Sequence, residues 1–127
     1  MLHRSAETIP SYEDILEITY RRFIRRGTVV VDVGAHSGRH TVVFAELVGP
    51  KGKVHAFEPL PVARDWMAAR GIPENVRVHP VALSPDRGEV TFHYSPDRPE
   101  ESGLKDRVLV GEFKMEMITV ETRPLDD

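Results

Sequence analysis

The sequence predicts an α/β fold built on parallel strands, and three observations carry that reading. Val29, Val30, Val31 and Val33 form an almost continuous apolar run broken only by Asp32, the pattern of a strand covered on both faces. A tight turn from Gly34 to Gly38 follows at once and leads into residues at helical spacing. The alternation then repeats, giving a helix followed by β-α-β-α-β, an order that right-handed crossovers accommodate in one parallel sheet.

The elements are legible one by one. Ser11 supplies a hydroxyl cap with Glu13 and Asp14 behind it, and Tyr12, Ile15, Leu16, Thr19 and Phe23 recur at helical spacing, so a helix is expected over residues 12–25. Arg21, Arg22, Arg25 and Arg26 fall where the helix dipole is negative, and Gly27 ends the run. After the valine strand, Thr41, Val42, Phe44, Ala45, Leu47 and Val48 outline a second helix that stops at Gly49-Pro50. Residues 53–58 alternate as a second strand. Pro59 to Pro61 then start a third helix with Val62, Trp66, Met67 and Ala69 on its inner side, closed by Gly71. A third strand fits residues 76–83. Beyond it the pattern changes: a turn at 85–88, a strand over 89–95, a polar segment over 96–105 and an extended stretch over 116–122. The last two extended stretches read as an antiparallel pair. The expected organisation is therefore an amino-terminal helix within 1–27, a β-α-β-α-β core over 28–84 and an antiparallel extension over 85–127.

Composition narrows the functions. A chain of 127 residues with 40% apolar content is one domain's worth and buries roughly two-thirds of its unfolded surface. The absence of cysteine excludes disulfides, cysteine-based zinc sites and thiol catalysis. With 17 basic against 20 acidic residues, the formal net charge is −3, so no global field favours a nucleic-acid backbone. No apolar run nears the about 18 residues of a membrane span, and Met1 to Glu7 lacks a signal-like stretch. A soluble cytoplasmic domain without nucleic-acid or membrane partners is expected.

Chemistry gathers at the first strand-to-helix turn, Asp32-Val33-Gly34-Ala35-His36-Ser37-Gly38. Backbone N–H groups at a helix start there are expected to face a crevice. Gly34 permits the sharp turn, and Gly38 permits close approach. Glu58 ends the second strand 20 residues after Gly38, where a carboxylate can accept from both hydroxyls of an unphosphorylated ribose. Asp32 beside the turn would repel a pyrophosphate and favour an ammonium group. S-adenosylmethionine has a ribose, an ammonium and a sulfonium but no phosphate, so it fits better than NAD. Turn geometry alone would also explain the glycines, helix capping Asp32, and a surface position Glu58. His36 and His40 have helical spacing but no third metal ligand at a recognisable spacing, and His55, His79 and His93 fall on strands.

These residues resemble the FkbM-type methyltransferases, a branch of the class I S-adenosylmethionine-dependent enzymes. The resemblance spans residues 28–127. It rests on Val31-Asp32-Val33-Gly34-Ala35 with Gly38, on Gly49-Pro50 with Gly52, and on Val54 with Ala56-Phe57-Glu58-Pro59. It continues through Asn75-Val76, Val81-Ala82-Leu83-Ser84, Gly88-Glu89-Val90 and Leu125-Asp126-Asp127. It implies a Rossmann-like sheet and a cofactor cleft in which Asp32, Gly34, Ala35, His36 and Gly38 line the methionine part. Glu58, followed by Pro59, would hold the ribose, and Val81 and Ala82 would lie along the adenine. His36 stands where the family often has Asn. Family members transfer methyl to hydroxyl oxygens of sugars, polyketides and other small molecules, and continue beyond the last motif into a strand bearing Asp-x-Glu-Gly. The chain is thus expected to be an amino-terminal part of such a domain, with a partial sheet whose valine strand shows an apolar edge for residues 116–122, a second copy or a partner chain to cover. A non-catalytic half-domain that binds cofactor weakly is the alternative, and an NAD-dependent oxidoreductase fragment comes third. No general base is identified.

Overall fold

A computed structural model of the chain describes residues 9–95, 98–103 and 116–126. Helix α1 (Tyr12–Phe23) precedes β1 (Val29–Val33), α2 (Arg39–Val48), β2 (Lys53–Phe57), α3 (Pro61–Arg70) and β3 (Val76–His79). Four further strands follow: β4 (Ala82–Leu83), β5 (Gly88–Ser95), β6 (Arg98–Gly103) and β7 (Glu116–Arg123). Strands β1, β2 and β3 form a parallel sheet in that order, with Val31 opposite His55 and Ala56 opposite Val78. The second sheet has the order β4-β7-β5-β6. Within it β7 runs parallel to β4 and antiparallel to β5, and β6 is antiparallel to β5.

The parallel sheet is held by burial on its helical side. Phe44, Ala45 and Val48 of α2 pack on Val54, joined by half-buried Tyr20, Ile24, Val30 and Val76. Ala35, Ala56 and Met67 form a second cluster with Ile72, Val76 and Val78. Burial of a side chain the size of Val48, Val54, Phe44 or Met67 is worth about 1.5–3 kcal/mol. Asn75 ties the end of α2 to the sheet by donating to the carbonyls of Ala45 and Gly49 at 2.9 and 3.0 Å, the first of which also accepts from the Gly49 N–H.

Several expectations shift. Helix α1 has the expected Ser11 cap, with a reciprocal bond from the Ser11 N–H to Asp14, but it ends at Phe23. Its expected stripe is met only at Leu16: Leu16 and, outside the stripe, Tyr20 are half-buried, whereas Tyr12, Ile15, Thr19 and Phe23 are exposed. In α3 the inner positions are Ala63 and Met67, while Trp66 and Ala69 face outward. The third strand divides at Pro80, which has no N–H for a ladder, so β3 stays in the first sheet and β4 joins the second. The polar segment expected over 96–105 contains β6; residues 96, 97, 104 and 105 lie outside those described, as do 1–8 and Asp127 of the closing motif. Strand β7 is not only an antiparallel partner but also a parallel neighbour of β4.

Covering of β1 on both faces is met on one side only. Val30 and Asp32 turn toward the helices, but Val29, Val31 and Val33 are 65%, 40% and 61% exposed. Among the described residues β1 also has a strand on one side alone. No helix among them is long and apolar enough to cross a membrane.

Candidate cofactor-binding site

Where β1 and β2 end, the register sets Val33 opposite Phe57. Asp32 and Glu58 therefore follow the same parity and turn toward the helical side. The Gly34 and Ala35 N–H groups both donate to the Phe57 carbonyl, at 2.8 and 3.1 Å, and the Glu58 N–H donates to His79 at 3.0 Å. These bonds lock the turn after β1 to the end of β2. Arg64 of α3 pins the next residues by donating to the carbonyls of Glu58 and Pro59 at 2.8 and 2.7 Å.

Glu58 is the polar centre of the site. It is 4% exposed, and its two oxygens accept from the His36 N–H at 2.9 Å and the Leu60 N–H at 3.1 Å. An ionised carboxylate has about four lone-pair positions, so two further hydrogen bonds fit. His36 donates its N–H from a left-handed backbone, φ 54°, alone among the described non-glycine residues. Its ring lies 5.5 Å from that of Trp66, and its Nε2 is buried without a hydrogen-bond partner.

Beside these residues opens a cavity of about 340 Å³ lined by Val33, Gly34, His36, Phe57, Glu58, Pro59, Leu60, Val81, Ala82, Leu83 and Phe92, a size in the range of small-molecule sites. Six of the nine anticipated cofactor residues meet there: Gly34, His36, Glu58, Pro59, Val81 and Ala82. Asp32, Ala35 and Gly38 do not line it. The Asp32 carboxylate sits behind α2, where it accepts from the buried Thr41 hydroxyl at 2.6 Å. Burial raises its pKa, an effect that the Thr41 hydroxyl and His40 oppose. Ala35 belongs to the core. Gly38 is buried against α3, and a Cβ there would lie 2.8 Å from Met67 Cγ, so its small size serves packing between helices. His40 turns away from His36 to contact Glu13 of α1.

The expected donors are only partly available: the first N–H groups of α2, after Gly38, have no side-chain cap, but the preceding turn is largely used. The N–H groups of Gly34, Ala35, His36 and Gly38 are all bonded within the protein. A pyrophosphate draws on such donors, whereas a phosphate-free nucleoside needs chiefly the carboxylate. The residues lining the cavity, with Glu58 as its acceptor and the donors of Gly34, Ala35 and His36 already used, fit S-adenosylmethionine. Val33, Phe57, Leu60, Leu83 and Phe92 are lining residues that sequence reasoning missed. The alternation of Val90 with Phe92 marks an inward face but does not say what that face meets.

Comparison with known proteins decides the family. The model of the methyltransferase FkbM domain matches residues 32–127. The chain belongs to this family. It is 39% identical over 83 residues to 31-O-demethyl-FK506 methyltransferase FkbM of Streptomyces tacrolimicus, covering 64% of this chain and 32% of that protein. It is also 53% identical over 52 residues to the protein-L-isoaspartate O-methyltransferase of Ignicoccus hospitalis, covering 38% and 25%. The chain spans about a quarter to a third of the length of the curated relatives it matches. Among solved structures, a methylase from Clostridium thermocellum superposes with a TM-score of 0.51 at 23% identity, over 59% of this chain and 44% of that one. That likeness shows the shared Rossmann-like α/β fold. The FkbM match includes both the turn after β1 and Glu58.

Proposed function

We propose that this FkbM-family chain forms the nucleoside-binding part of an S-adenosylmethionine-dependent O-methyltransferase whose acceptor is a hydroxyl of a small molecule or sugar, working in the cytoplasm. One observation carries the reading: a buried carboxylate, Glu58, lines the cavity while the N–H groups of Gly34, Ala35 and His36 beside it are already bonded. S-adenosylmethionine supplies an electrophilic methyl group on a sulfonium when bound. Glu58 accepts from the ribose hydroxyls. Pro59, Val81 and Ala82 give the base an apolar seat, and Gly34 leaves room for the chain of the methionine. Asp32, outside the lining, holds the first turn of α2 through the Thr41 hydroxyl. Holding the donor in one orientation toward the acceptor oxygen is the main service such a protein can give an in-line transfer.

Calorimetry with S-adenosylhomocysteine and with NAD tests this. The expected result is binding of the first with an affinity at least tenfold above the second; equal affinities, or preference for NAD, would contradict it.

A second reading is a non-catalytic half-domain that depends on a partner chain; the exposed valines on the face of β1 away from the helices, and a strand on one side of β1 alone among the described residues, favour it. Sedimentation distinguishes the two. A species that stays monomeric and binds S-adenosylhomocysteine supports the first, while binding that appears only in an associated species supports the second.

A further inference from the structure

We propose that Phe92, carried by the second sheet, is the platform against which the base of the bound nucleoside packs, so that this sheet is a working wall of the site. The inference rests on the nucleoside reading above and adds to it a contact that the family motifs do not contain. The register sets Ala82 and Gly88 opposite Thr122, Val90 opposite Val120 and Phe92 opposite Ile118, which puts Ala82, Val90, Phe92, Val120 and Thr122 on one face. Val120 and Thr122 are 5% and 2% exposed, so that face points inward. Phe92 lies farther along it and reaches the cavity.

The lining divides by chemistry. Glu58 and His36 come from the crevice of the parallel sheet, while Val81, Ala82, Leu83 and Phe92 form an apolar flank running into the second sheet. A purine is flat and apolar on both faces, and aromatic rings stack on such surfaces. Two phenylalanines line the cavity. The ring of Phe57 is already stacked on His79, with centroids 4.5 Å apart and planes 11° from parallel. No ring among the described residues stacks on Phe92, which is half-buried and lines the cavity.

The test is calorimetry of the wild-type chain, Phe92→Ala and Phe92→Tyr with S-adenosylhomocysteine and, separately, with adenosine, alongside thermal unfolding of each variant. Phe92→Ala is expected to weaken both ligands by the same factor, about 5- to 100-fold, the range for losing one base–aromatic stack. Phe92→Tyr should stay within about twofold of wild type. Should Phe92→Ala fail to fold, Phe92→Leu keeps apolar volume without the ring and should still weaken both ligands equally. Unchanged affinity for both, or weakening of S-adenosylhomocysteine alone, would overturn the assignment. A wild-type chain that binds adenosine but not S-adenosylhomocysteine would sink the methyl-donor reading while the Phe92 comparison proceeds on adenosine. A wild type that binds neither overturns both.

Discussion

His36 holds a left-handed backbone, which costs an ordinary residue about 1–2 kcal/mol, and from it donates its N–H to Glu58. Asn adopts that conformation readily and β-branched residues do not. His36→Asn should therefore leave the urea midpoint little changed, within about 1 kcal/mol, whereas His36→Val should lose about 1–2 kcal/mol. Glu58 has a structural duty as well as the proposed one. Its two oxygens satisfy two backbone donors, and a glutamine side chain, with one acceptor oxygen, can satisfy one. Glu58→Gln is expected to lower stability by about 1–3 kcal/mol without any ligand, the cost of a buried donor left unpaired, measured by urea unfolding of the ligand-free protein. Unchanged stability would mean that the carboxylate is not bonded as described. Loss of affinity in a Glu58 variant is thus interpretable only beside its unfolding curve.

Strands β2 and β3 meet on the face away from the helices, where His55 Nδ1 and His79 Nε2 are 2.9 Å apart. Burial holds the His79 pKa below its usual 6.5, helped by His55, Arg77 and Arg123. The folded chain then takes up this proton less readily than the unfolded one, so its stability is full at higher pH and falls as pH drops below 6.5. Replacing His79 with Gln should flatten that fall, as followed by thermal unfolding between pH 7.5 and about 5; an unaltered profile would place the acid sensitivity elsewhere. The elements themselves were largely legible, because β1, α2, β2 and α3 each have a dominant period and a glycine or proline at the boundary. Helix α1 misled in part: of its expected stripe, Tyr12, Ile15, Thr19 and Phe23 are exposed and Leu16 is half-buried, while contact with Phe44 of α2 falls on Tyr20. Local periodicity cannot say which side of a helix finds a neighbour. Residues 76–83 likewise read as one strand because the apolar pattern runs through Pro80, although only the ladder hydrogen bonds separate β3 from β4.

Across the molecule, the site lies at the seam between two sheets, and that explains what the sequence disclosed of it. Glu58 and the turn from Gly34 to Gly38 are set by one β-α-β unit, so their spacing alone pointed to a nucleoside. Phe92 comes to the same cavity through the pairings of β5 with β7 and of β7 with β4, which no spacing along the chain encodes. Gly38 shows the converse: it matched a ligand-binding pattern yet faces Met67 of α3. The open edge of β1 was also legible, since its valines imply covering on both sides and the described strands provide one neighbour.

The central claim is that Glu58 receives the sugar of a phosphate-free nucleoside, and the amides bonded to its carboxylate report on this directly. Backbone NMR during titration with S-adenosylhomocysteine should move the His36 and Leu60 N–H resonances among the first, with a saturation curve matching calorimetry. Were those two resonances to stay fixed at saturation while others moved, the ligand would be bound elsewhere and the account would be wrong.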